Sequence, residues 1–307
     1  MRELEVIRAI REGVATRNPA VRLGIGDDCA ILKPAPNNEL VVTTDFCIEG
    51  RHFRRDWHTA ESVGHRCLAR GLSDVAAMGA RPISAFLSLA LPKGFDVAWF
   101  KRFMWGFERL ASEQNVELAG GDTSEAPGDQ MIADIVAIGT IERGKAIRRA
   151  GARVGDGLFV TGSLGGSAAE LAAIREGREW GYEVWPQRFP EPQVRVGMTL
   201  AKRGYATACI DVSDGLSTDL RHLCEASGVR AEVDAALLPL GPEASLEQAL
   251  HGGEDYELLF TVMAGVKMPQ QMANVKVTRI GTILGGDGPL VVMKNGEELK
   301  AGGWEHL

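Results

Sequence analysis

Aromatic side chains make up only 6% of this 307-residue chain, and no long uncharged apolar run occurs in it. The second absence excludes a membrane-spanning helix, which needs ~18 or more consecutive apolar residues. Met1 to Ala15 interleaves Arg2, Glu3, Glu5, Arg8, Arg11 and Glu12 with Leu4, Val6, Ile7 and Ile10. That spacing predicts an amphipathic helix and lacks the apolar centre of a signal peptide, so the expected location is cytoplasmic, with no membrane partner. Positive charge is also short: 34 Lys and Arg against 41 Asp and Glu leave a formal charge of -7. Without a basic face to displace counterions, no nucleic-acid partner is expected. Cys29, Cys47, Cys67, Cys209 and Cys224 are odd in number, form no CxxC pair and have no His-rich tract beside them. Neither a disulfide framework nor a zinc site is signalled, and the thiols read as reduced. Also missing are a GxxxxGK[ST] phosphate loop, a protein-kinase catalytic loop, a GxSxG elbow and an HExxH helix, which removes support for the common nucleotide-binding and hydrolase classes.

What the chain has is glycine, 37 residues of it, with acid set beside it. The recurring segments are Gly24-Ile25-Gly26-Asp27-Asp28, Thr43-Thr44-Asp45, Leu72-Ser73-Asp74, Gly120-Gly121-Asp122, Asp211-Val212-Ser213-Asp214-Gly215 and Gly252-Gly253-Glu254-Asp255. Four of them have an ordinary structural explanation: an Asx turn for Asp27 and Asp28, a surface position for Asp74, a tight turn at Gly120-Gly121, a helix N-cap for Ser213 or Asp214. Taken together they point elsewhere. Carboxylates on separate elements that converge repel by about 4 kcal/mol per pair at 4 Å and an effective dielectric near 20. Bound cations relieve that cost, and carboxylate, hydroxyl and carbonyl oxygens are the donors Mg²⁺ prefers. A site for several metal ions is therefore expected.

Leu40 to Thr44, Ala85 to Leu91, Val116 to Ala119 and Met131 to Ile138 read as strands, and helices are predicted from Ser62 to about Met78 and from an Asp96 cap through Leu110. From Glu142 to Asp156 the periodicity gives way to a basic, glycine-rich passage, which sets expected domains of 1–143 and 144–307. Beyond it come strands at Leu158 to Thr161, Ala208 to Val212, Tyr256 to Val262, Lys276 to Ile280 and Leu290 to Met293. Helices are predicted near Ala168 and from Leu216 to Ala226, and an irregular Trp/Pro stretch from Trp180 to Pro192. Both halves mix α and β.

In order, GIGDDCA, TTDFCIEGRHF, LARGLSDVAAMGA, AGGDTS, RRAGARVGD, ACIDVSDGLSTDL and GGEDYELLF span nearly the whole chain. They resemble the thiamine-monophosphate kinases, a family of the aminoimidazole-ribonucleotide synthetase and selenophosphate synthetase superfamily. The resemblance implies an α/β amino-terminal domain that dimerises through its strands into a barrel and an α+β carboxy-terminal domain. It implies that ATP phosphorylates thiamine phosphate with several Mg²⁺ ions and no covalent phosphoenzyme. By motif matching, Asp28, Thr43, Thr44, Asp45, Asp74, Asp122, Asp211 and Asp214 would hold Mg²⁺. Gly121, Arg149 and Ser213 would contact ATP, while His52, Glu254 and Trp304 would face thiamine phosphate. Two positions depart from the family pattern: Cys29 stands where alanine is common, and Gln193 where a Pro-x-Pro-Arg signature has arginine. Alternatives are a superfamily enzyme acting on another substrate, a metal-dependent phosphatase or pyrophosphatase, and a cation-binding module without catalysis.

Overall fold

The computed structural model describes Arg8, Ile10, Val14, residues 17–288 and residues 290–304. The helix predicted for residues 1–15 lies almost wholly outside them. The chain divides into two compact units, Met1–Val75 with Arg81–Arg143, and Ala76–Ala80 with Gly144–Leu307.

The first unit holds a small ribbon, β1 (Val21–Leu23) with β2 (Ile31–Leu32), and a four-stranded sheet of β3 (Asn38–Ile48), β4 (Arg81–Leu91), β5 (Glu117–Glu125) and β6 (Ile132–Glu142) in the order β3-β6-β4-β5. Only β4 and β5 run parallel, and a parallel pair needs a crossover. Helix α2 (Val97–Gln114) supplies it, while α1 (Ala60–Ala77) joins β3 to β4. Both helices are built on glycine contacts. A Cβ at Gly71 would sit 2.9 Å from the Ala137 methyl of β6, and one at Gly64 or Gly106 would collide with the carbonyl of Phe103 or Glu61. Asp96 caps α2 as the sequence predicts, its carboxylate accepting from Ala98 N at 2.9 Å. Ser62 does not cap α1. The helix begins earlier because Thr59 Oγ1 accepts from Ser62 N at 3.2 Å, and the Ser62 hydroxyl turns back to donate to Thr59 O. Along β3 the side chains alternate, and Leu40, Val42, Thr44 and Phe46 are exposed.

The second unit is a seven-stranded sheet of β7 (Gly157–Thr161), β8 (Ala206–Val212), β9 (Arg230–Val233), β10 (Glu257–Val262), β11 (Gln271–Met272), β12 (Val275–Leu284) and β13 (Val291–Met293). Its order is β13-β9-β12-β7-β10-β8, with β11 on β12, and β13 with β9 is its parallel pair. Helices α3 (Gly166–Glu176), α4 (Val194–Arg203), α5 (Leu216–Ser227) and α6 (Leu246–His251) accompany it. Leu158, Val160, Ile210, Val212, Leu220, Leu223 and Ile283 form its buried core. The Trp/Pro stretch is irregular, as expected, but it is pinned. Trp180 packs on Ala169 and Ala173 of α3 and donates from Nε1 to Val184 O at 2.7 Å. No helix among the described residues is long and apolar enough to cross a membrane.

Candidate active site

In the first unit, the alternation of the strands divides the acidic segments between two faces of one sheet. Thr43 and Asp45 point toward α1. Thr43 Oγ1 donates to Asp74 Oδ2 at 2.5 Å, and Arg70 Nη2 donates to Asp45 Oδ1 at 2.8 Å. Asp74 is thus a half-buried acid facing β3, not a free surface carboxylate, one turn from the arginine that neutralises Asp45. Thr44 and Asp122 point the other way. Phe46 pairs with Asp134, Asp134 with Ser88 and Ser88 with Asp122, which strings a row across all four strands. Thr44 Oγ1 joins that row by donating to Asp134 Oδ1 at 2.7 Å. Asp27 and Asp28 sit on an exposed turn with Gly26 at φ 136°, where Asp28 N donates to Asp27 Oδ1. Gly121 is demanded by the sheet itself: at φ 154°, a Cβ there would strike Leu87 O. His52 follows β3, and its Nδ1 accepts from Ile48 N at 2.9 Å; the ring proton then belongs on Nε2.

In the second unit, four chain segments meet. β8 ends with Asp211 and Val212, and the turn after it carries Ser213 and Asp214; the Gly-Gly-Glu-Asp loop before β10 lies against it, with Glu254 N donating to Ser213 O at 2.7 Å and Tyr256 N to Val212 O at 2.9 Å. Gly253 has φ 67°, and a Cβ on it would come within 2.7 Å of Ser213 O. Glu254 and Tyr256 hold φ of 57° and 52°, a left-handed conformation that costs non-glycine residues of order 1–3 kcal/mol each and clusters at functional sites. Trp304 N donates to Asp214 O at 3.0 Å, which brings the end of the described chain to the same turn. From the Trp/Pro stretch, Gln187 Nε2 donates to Glu254 Oε2 at 3.1 Å.

The N-cap explanation for Ser213 or Asp214 gives way to the reverse arrangement. Helix α5 starts from Gly215 without a side-chain cap, and Asp219 inside its first turn accepts from both Ser213 N and Asp214 N at 3.0 Å. Burial, together with the Asp211 and Asp214 carboxylates, pushes Asp219 up to about 8. Asp255, also buried, is pushed up to about 7 by desolvation despite accepting from Gly165 N and Ser167 N. Arg149 is exposed on the passage that precedes β7, its carbonyl accepting from Ser227 Oγ at 2.9 Å. Gln193 turns inward to hydrogen-bond Glu257, and Cys29 is exposed beside Asp28.

Ser213, Asp214, Glu254 and Trp304 therefore share one locality, with Asp211 at the strand end that feeds it. Thr43 with Asp74 forms a separate locality on one face of the first unit's sheet, while Thr44 and Asp122 lie on the other face with two strands between them. Among the described residues no group of three or more His, Cys, Asp and Glu stands close enough to hold a metal ion by side chains of those types alone. Sequence reasoning passed over Asp134 and Gln187. Asp134 lay within an apolar run, where alternation was its only signal, and Gln187 in a stretch with no period at all.

Residues 26–141 match the family described as AIR synthase related protein, N-terminal domain, and residues 153–294 the corresponding C-terminal domain. The thiamine-monophosphate kinase of Escherichia coli (strain K12) is 38% identical over 274 residues, covering 85% of this chain and 82% of that protein. That of Bacillus subtilis (strain 168) is 32% identical over 329 residues, covering 100% of both. Among solved structures, thiamine-monophosphate kinase from Stenotrophomonas maltophilia K279a superposes with a TM-score of 0.81 at 36% identity, covering 97% of this chain and 98% of the other. The complex of AaThiL with AMPPCP and TMP gives 0.79 at 33%, covering 92% of each. Similarity that extends through both units, at 32–38% identity over 85–100% of the chain, places this chain in the thiamine-monophosphate kinase family.

Proposed function

We propose that this protein transfers the terminal phosphoryl group of ATP to thiamine phosphate, yielding ADP and thiamine diphosphate. One observation carries the reading beyond family likeness. The turn bearing Ser213 and Asp214 at the end of the Asp211 strand, the strained loop bearing Glu254, and Trp304 are tied to one another by backbone hydrogen bonds, so groups for a cation, a phosphate and an organic ring stand side by side.

An oxygen of the thiamine phosphate monoester attacks the terminal phosphorus while the bond from that phosphorus to the leaving ADP oxygen breaks. A monoester's second pKa is about 6, so the attacking oxygen is ionised near neutrality and no general base is required. Catalysis then rests on positioning and on electrostatic stabilisation of the transferring group. Mg²⁺, when bound, screens the two polyanions from each other and stabilises charge on the phosphoryl oxygens. The donors present fit that ion. They are hard oxygens arranged as pairs such as Thr43 with Asp74, and while burial is the main cause that raises Asp219, the added repulsion from Asp211 and Asp214 is what a cation relieves. Mg²⁺ commonly takes one or two carboxylates and completes its shell with water and substrate phosphate. The residues proposed to hold it are Asp28, Thr43, Thr44, Asp45, Asp74, Asp122, Asp211 and Asp214. Gly121, Arg149 and Ser213 are assigned to ATP. His52, Glu254 and Trp304 are assigned to thiamine phosphate, with the Glu254 carboxylate complementing the cationic thiazolium and the half-exposed indole of Trp304 offering a stacking wall.

We further infer a cytoplasmic homodimer formed through the first unit's sheet, whose uncovered face presents Leu40, Val42 and Phe46 at 43%, 63% and 55% exposure. The activity is tested by incubating the protein with Mg²⁺, ATP and thiamine phosphate and weighing the product by mass spectrometry. Thiamine diphosphate is expected; inorganic phosphate without it would convert the assignment to a phosphatase. Asp122→Asn and Asp211→Asn should each lower kcat about 100-fold or more, the scale of losing a preorganised electrostatic group, with little change in melting temperature. Wild-type turnover in both variants would overturn the metal assignments.

A further inference from the structure

A groove of about 470 Å³ in the second unit, apart from the locality described above, is lined by Lys145, Arg148, Arg153, Lys202 and Arg203 and by no carboxylate. Among the described residues none of these five side chains makes an ion pair or hydrogen bond, although the chain as a whole carries a charge of -7. Some cations elsewhere on this unit are matched, as Arg178 is by Glu176 and Glu243, and Lys294 by Asp234, whereas others among the described residues, such as Lys267 and Lys276, stand singly. The nearby Asp156 is buried and committed, its Oδ2 accepting from Arg153 N at 3.0 Å and from Thr207 Oγ1 at 2.7 Å. The groove's base is firm. Ile147 and Leu200 are buried, and Ile147 N donates to Met78 O at 3.0 Å. Two of the last four carbonyls of α4, which would repel an anion, are occupied: Gly204 N donates to Ala201 O and Tyr205 N to Leu200 O. Arg149, the residue assigned to ATP, is not in the lining.

A concavity walled by one sign of charge focuses its field and concentrates counter-ions. Arginine forks match phosphate oxygens two at a time, and the volume falls within the usual range for small-ligand sites, about 300–1,000 Å³. We propose that this groove is a second anion site, binding a small oligophosphate, either free diphosphate or the diphosphate end of a nucleotide.

The test is calorimetric titration of the full-length protein with inorganic pyrophosphate, in EDTA and 0.1 M KCl, beside the Lys202→Gln/Arg203→Gln double variant and a charge-matched Lys267→Gln/Lys276→Gln control. Saturable binding by wild type and control, weakened at least tenfold in the groove variant, is the expected result. No binding by wild type, equal binding by the groove variant, or equal weakening in the control would overturn the proposal. The groove variant should keep kcat and both KM values within twofold, so failure of the kinase assignment would be seen separately in the turnover assay. Uridine diphosphate distinguishes the two sources: tighter binding than pyrophosphate identifies a nucleotide, equal binding a free oligophosphate.

Discussion

Asp255 shows how one side chain of the strained loop enters the stability of the second unit. Its carboxyl is buried, accepts two backbone N–H groups and lies beside Glu254; burial outweighs the donors and lifts it from an ordinary 3.8 to about 7. The folded state therefore holds this proton at pH values where the unfolded chain has released it. The group's contribution to stability is complete below about pH 4 and is lost as pH rises toward 7. Asp255→Asn removes the titration while keeping the side-chain shape. The unfolding free energy of wild type minus that of the variant should fall across this window by up to ~1.4 kcal/mol per pH unit. Denaturant titrations at pH 4.5, 5.5, 6.5 and 7.5 measure it. A difference that stays flat, or rises with pH, would refute the account.

At the level of elements, the Trp/Pro stretch is held to α3 through Glu170, a fully buried carboxylate that accepts from Gln187 N at 2.7 Å and faces the Arg188 guanidinium at 3.4 Å. The stretch delivers the Gln187 amide to Glu254, whose carboxylate is then oriented by a neighbour as well as by its own strained backbone. Gln187→Ala should raise KM for thiamine phosphate about tenfold, the value of one charge-assisted hydrogen bond of ~1.5 kcal/mol, while KM for ATP holds. Gln187→Asn, with its shorter reach, should give an intermediate effect. Steady-state kinetics with each substrate varied in turn decide it, and parallel rises in both KM values would argue for a general loss of structure. This stretch also marks where sequence legibility ends. β3, β4, α1 and α2 could be read from their periods, reinforced in α2 by the Asp96 cap, and the turns after Asp211 and at Gly252 because glycine there is required by backbone approach. Helix α4 was not legible: Gly197 interrupts its pattern, and its reason is a close approach to Ala76 O that only the fold reveals. The division of Thr43 from Thr44 onto opposite faces was available from alternation, yet grouping them as one motif concealed it.

For the whole molecule, the described helices cover one face of the first unit's sheet, α1 lying against it through Thr43–Asp74, Asp45–Arg70 and the Gly71–Ala137 approach. On the other, Leu40, Val42 and Phe46 of β3 stand exposed beside the polar row of Thr44, Asp134, Ser88 and Asp122. Monomeric proteins rarely leave contiguous apolar patches beyond a few hundred Å², and a second copy of the same sheet is self-complementary about a two-fold axis. The expected species at micromolar concentration is thus a dimer by light scattering. Val42→Glu places a charge where apolar side chains would meet, at a position 63% exposed in the single chain. The variant should therefore fold, retain its circular dichroism and scatter as a monomer. Because Thr44 and Asp122 share the face that a partner would cover, dissociation should also lower turnover, and the loss should recover with protein concentration if weak association persists. A wild-type protein that scatters as a monomer, or a Val42→Glu dimer of undiminished affinity, would show that this face is not the contact.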